Sequence, residues 1–154
     1  MISAQWRAAL PFSVVGLVCI LTGGVVSAAT AFAPSEHSAW AVAYLVLVAG
    51  AAQVGLGVGQ ALLAPFTPAD RVVLAEFLAW NVGNAAVLVG TIFGVAVLVD
   101  VGGVLLLAAL ILLILGVRGC AEHWKWPLYA FRILVLILLI SIPIGLVLAA
   151  VRPG

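Results

Sequence analysis

The sequence predicts an all-α, polytopic integral membrane protein with five transmembrane helices, its N-terminus cytoplasmic and its C-terminus outside. Three observations carry that expectation. First, 67% of the 154 residues are hydrophobic and only 7% are charged, with a mean hydropathy of +1.41. Soluble domains carry roughly 25% charged residues. Second, polar and Pro-bearing breaks recur at intervals that suit bilayer spans of roughly 20 residues. They are PSEHS (34–38), PFTPADR (65–71) and RGCAEHWKWP (118–127). Third, Arg7, Arg71, Arg118, Lys125 and Arg132 fall on one side of the expected topology, and only Arg152 falls on the other. Basic residues favour the cytoplasmic side, which sets the orientation.

The whole chain, 1–154, reads as one transmembrane helical domain. The first span is expected over about 8–33, with Pro11 in its first turn, where a missing N–H costs little. Arg7 and an Ala29-Thr30-Ala31 site also fit a signal peptide, whose removal would leave four spans. A cut after Ala33 would put Pro34 at the new terminus, so a retained span is favoured. Bulky Val18 before Cys19 argues against a lipoprotein. The second span is expected over 39–64.

Val72 to Val117 is too long for one crossing, since a continuous helix would reach about 69 Å. Asp100-Val101-Gly102-Gly103 offers the turn, with Asp100 capping the following helix. The third and fourth spans are then 72–98 and 102–117, and the fifth is 130–151. Pro143 is expected to kink that last helix. Cys19 and Cys120 are about half a bilayer apart on this plan, so no intrachain disulfide is expected.

Apolar attraction does not hold helices together in lipid; small residues and polar bonds do. Candidate packing positions are Gly16, Gly23 and Ser27 on the first span, Gly50 and Gly57 on the second, and Gly83, Gly90 and Gly94 on the third. The fourth and fifth spans, rich in Leu, Ile and Val, are expected to face lipid around an inner bundle of the first three.

The stretch AEFLAWNVGNAA (75–86) interrupts this hydrocarbon. At 100° per residue, Trp80, Thr91 and Asn84 lie about 40°, 60° and 80° from Glu76, and Asn81 about 140°. Gln53 and Gln60 offer a matching face on the preceding helix. The seven residues make an intramembrane polar stripe that either fastens helices or passes a solute, ion or proton. Glu76 lies about 6 Å from Val72 along the axis, within expected reach of water, Arg71 or Arg118. Trp80 to Gly94 resembles the haem-binding helix of haem–copper oxidase catalytic subunits, where a Trp precedes a His-Asn pair. Gly83 stands where the ligand His is needed, so no haem or other cofactor is expected.

The loop RGCAEHWKWPLYAFR (118–132) holds Cys120, Glu122 and His123, without a recognised structural-zinc spacing, and no metal is expected. Trp124, Lys125, Trp126, Tyr129 and Arg132 instead suit an interfacial anchor. Trp6 is a second inner anchor, and Trp40 and Tyr44 the outer ones. His37 with Glu36 reads as a solvated loop.

The formal net charge of +1 and the absence of a basic patch exclude a nucleic-acid partner. The five acidic residues are scattered and meet no nucleophile, so no enzyme is expected. The partners expected are the lipid bilayer and other membrane subunits or copies of the chain itself. The leading expectation is an accessory or scaffold subunit of a larger membrane complex. The alternative is a small homo-oligomeric channel or transporter lined by Glu76, Asn84, Gln53 and Gln60. The Ala, Val and Gly richness resembles that of membrane proteins from GC-rich bacteria, which places the chain in a bacterial inner membrane.

Overall fold

In hydrocarbon every backbone N–H and C=O must be satisfied within its own segment, which makes long apolar runs helical. The computed structural model, which describes residues 4–119 and 125–151, has five helices long and apolar enough to cross a membrane. They are α1 (Ala4–Thr30), α2 (Glu36–Leu63), α3 (Asp70–Phe93), α4 (Ala96–Gly116) and α5 (Lys125–Val151). Among the described residues there is no β-strand.

Local chemistry sets the helix ends. Ser35 caps α2, its hydroxyl accepting from the Ser38 N–H at 3.1 Å while Ser38 Oγ accepts from the Ser35 N–H at 2.9 Å. The middle of α2, Leu45–Ala52, is wound as a π-helix. Such segments are rare and gather at functional positions. Thr22, Thr30 and Ser141 bond carbonyls three or four residues back in their own helices, which hides their hydroxyls from lipid.

Three expectations are corrected. The turn between the third and fourth spans falls at Gly94–Val95, not at Asp100–Gly103. Gly94 takes φ +68°, and the Val95 N–H returns to the Gly90 carbonyl at 2.8 Å, closing α3 with a left-handed glycine cap. Asp100 is therefore an exposed residue inside α4 rather than its cap. Second, α1 begins at Ala4, so Pro11 lies two turns inside it. Third, the fourth and fifth spans do more than wrap the others: α4 buries Leu106, Ala109, Leu110 and Leu113 and α5 buries Phe131, Val135 and Leu138 in the core with Leu56, Leu63 and Trp80. Their opposite faces, Val101, Val104 and Ile111 on α4 and Ile133 and Ile137 on α5, are exposed.

The helices pair as two hairpins. In the first, a Cβ on Gly16 would sit 2.9 Å from the Gly50 carbonyl oxygen, and one on Gly57 would sit 2.6 Å from the Phe12 Cβ. Gly23 meets Val46 in the same way. In the second hairpin, a Cβ on Gly102 would lie 2.7 Å from the Gly83 carbonyl oxygen, and Gly90 lies against Val99. Helix α5 closes over α2 and α4, placing Phe131 on Gly59 and Leu134 on Gly55. Small residues bring backbones together within each hairpin, whereas α2 and α3, on opposite hairpins, meet through long side chains. That wider interface is where the polar residues lie.

Candidate functional site

Gln60 lies seven positions after Gln53, which brings both to one side of α2; Glu76, Trp80 and Asn84, four apart, line one side of α3. Gln53, Gln60, Glu76, Trp80 and Asn84 are all buried, Glu76 with 0% exposure. The Gln60 amide Nε2 donates to both Glu76 carboxyl oxygens, at 3.0 Å each. Glu76 therefore neither reaches water nor pairs with Arg71 or Arg118, contrary to the expectation from its position near the helix end. Those two arginines are exposed at helix ends. The backbone of Gly116 covers the pair: a Cβ there would lie 2.9 Å from Gln60 Nε2 and 3.8 Å from Glu76 Oε1.

About 12 Å along α3 from Glu76, a second polar contact joins the hairpins. The Tyr44 hydroxyl donates to Asn84 Oδ1 at 2.8 Å, and Asn84 Nδ2 donates to the Trp80 carbonyl at 2.8 Å. Tyr44, expected as an outer anchor, has a second contact: its ring stacks on Trp40, with centroids 5.1 Å apart, while its hydroxyl reaches Asn84.

Between these two contacts, by position along their helices, lie Gln53 and Trp80. Both are fully buried, and Gln53 Nε2, Gln53 Oε1 and Trp80 Nε1 have no hydrogen-bond partner. An unpaired buried polar group costs about 1–3 kcal/mol, so these three atoms have the capacity to hold a water or a ligand.

The remaining stripe residues stand apart. Asn81 is half-buried and bonds the Phe77 carbonyl of its own helix at 2.8 Å, and Thr91 is half-buried further along α3. Among the expected packing positions, Ser27 is exposed and Gly94 forms the turn with open space about it. Trp6, Lys125, Trp126, Tyr129 and Arg132 are exposed near helix ends. Trp124, together with Cys120, Glu122 and His123, lies outside the described residues. Among the described residues no three His, Cys, Asp or Glu side chains converge.

Comparison with protein-family models, with curated proteins and with solved structures yields no match to this chain. The seam itself therefore carries the functional reading.

Proposed function

We propose that the protein is a multi-pass protein of the bacterial cytoplasmic membrane that accepts and passes protons along the seam between its two hairpins, with Glu76 as the proton-binding group. The single observation behind this reading is a fully buried carboxyl whose hydrogen-bond partner is a neutral amide. Ionisable residues inside a membrane are costly, and they typically mark ion pathways or proton relays. A proton fits this site better than a metal cation does. Gln60 turns its N–H donors, not its oxygen, toward the carboxyl, and a cation would need those same carboxyl oxygens as part of an oxygen cage.

The unpaired groups of Gln53 and Trp80 extend the path. Water bonded to them would bridge Gln60–Glu76 to Tyr44–Asn84, for buried waters sit where polar groups lack partners. The distribution of basic residues orients the Glu76 end toward the cytoplasm. All these groups belong to one protomer, where all but the half-buried Tyr44 are buried, so the path needs no lining from neighbouring copies. The accessory-subunit reading used the glycine faces and the polar stripe as docking surfaces. Gly16, Gly23, Gly50, Gly57, Gly83 and Gly90 pack within the chain, so a partner's helices would have to meet other, exposed apolar faces.

The test is proton flux in proteoliposomes under an imposed pH difference. Wild-type protein is expected to conduct and Glu76→Gln to fall to the empty-liposome rate while folding normally. Equal flux in the two, or none in either, would remove the proposal. Native mass spectrometry from nanodiscs then separates it from a scaffold role, which would show a second polypeptide at fixed stoichiometry.

A further inference from the structure

Where α4 ends and α5 begins, the two helices enclose a trough of about 440 Å³, within the range of roughly 300–1,000 Å³ typical of small-molecule sites. Its walls are almost entirely apolar, formed by residues such as Val117, Phe131, Val135 and Leu139. Arg118 and Arg132 are the charged residues of the lining, and both are exposed. The α5 residues of the lining recur every three or four positions, so they form one helix face running about 17 Å from Leu128 to Leu139. The lining is therefore amphipathic: Arg118 and Arg132 belong to its part nearer the α4–α5 connection, and Val135, Leu136 and Leu139 continue it as hydrocarbon.

We infer that this trough is a binding site for an anionic phospholipid, its phosphate between Arg118 and Arg132 and an acyl chain along the α5 face. Charge complementarity selects the occupant. Guanidinium groups bind phosphate through paired N–H donors. The end of a helix carries partial negative charge, so the α4 terminus does not itself attract an anion and the arginines must supply the hold. A detergent-like neutral chain would use the walls but not the arginines, and free phosphate would use the arginines but not the walls. A phospholipid uses both. The assignment does not depend on how Glu76 functions, and it places a lipid contact at the seam's cytoplasmic end, where Val117 follows the Gly116 that covers Gln60 and Glu76.

The experiment is native mass spectrometry of the whole protein from nanodiscs containing equal phosphatidylglycerol and phosphatidylcholine. Wild-type protein is expected to retain one phosphatidylglycerol in preference to phosphatidylcholine. At about 1 kcal/mol per basic residue facing an anionic surface, each of Arg118→Gln and Arg132→Gln should reduce that preference about fivefold, and the double variant about 25-fold. Lys125→Gln, whose side chain is outside the lining, should leave it unchanged. Val135→Trp, which fills the trough but keeps both arginines, should also release the lipid. Displacement by millimolar inorganic phosphate would identify a phosphate site instead. An equal effect of Lys125→Gln, or no wild-type preference, would reduce the contact to general surface charge. Any of these last three results overturns the assignment.

Discussion

Replacing Gln60 and Glu76 by Leu, singly and together, separates what their contact does for stability from what it does for function. Gln60 Nε2 lies 3.0 Å from each carboxyl oxygen, and the residues are 3% and 0% exposed, so bulk solvent does not take over a lost bond. Gln60→Leu leaves the carboxyl unpaired in an apolar interior and is expected to cost about 1–3 kcal/mol. Glu76→Leu leaves the buried amide unpaired and should cost a similar amount. The double variant removes both polar groups at nearly constant volume and should return close to wild-type stability. The coupling in this cycle is then about 2 kcal/mol or more. Interhelical hydrogen bonds in membranes average about 0.6 kcal/mol and reach about 1.7. This pair should exceed them because one amide serves two oxygens in full burial. The assay is reversible unfolding in bicelles, followed by proton flux on the folded variants. A coupling below about 0.6 kcal/mol, or a double variant as unstable as the sum of the singles, would refute the hydrogen-bonded geometry as the fastener. A double variant that is stable but still conducts would detach function from Glu76.

Two other perturbations probe the scaffold around the seam. Gly102→Ala drives a methyl to 2.7 Å from the Gly83 carbonyl oxygen, which is backbone and cannot swing aside; the same unfolding assay should show a loss of about 1–3 kcal/mol, whereas Gly24→Ala, with nothing within 4 Å, should show none. Tyr44→Phe removes the hydroxyl bond to Asn84 and should cost about 0.5–1.5 kcal/mol, with flux falling because the outer step of the path is lost.

The spans were legible because a bilayer imposes length and hydropathy on every crossing, and because polar breaks such as PSEHS must lie at water. The third turn was not legible in the same way. Asp100-Val101-Gly102-Gly103 has the composition of a turn, yet a glycine beside another helix serves equally well to let backbones approach. Gly102 takes that role against Gly83, and Gly94 supplies the left-handed residue instead. Assigning Gly102 and Gly103 to the turn took two small residues from the packing face of α4, which is why its sequence looked lipid-facing although one of its faces lies in the core. The polar stripe on α3 was readable from helical periodicity, but periodicity gives a face and not a partner. Glu76 stood near enough to a helix end to suggest water or arginine. Its burial depends on Gly116 of a helix forty residues away. Tyr44 reads as an interfacial aromatic by position alone; only the packing of α2 beside α3 brings its hydroxyl to Asn84. No local signal marks the π-helical stretch of Leu45–Ala52 that separates Tyr44 from Gln53.

The measurement that bears most directly on the proton path is infrared difference spectroscopy of the folded protein in lipid as the bathing pH is changed, with Glu76→Gln as the control. If Glu76 exchanges protons along the seam, wild-type protein will show a buried-carboxyl band that appears or disappears with pH and is missing from Glu76→Gln. A Glu76 band that stays constant across the pH range in which the protein remains folded would contradict that role, and would leave the carboxyl as a fixed hydrogen-bond partner of Gln60.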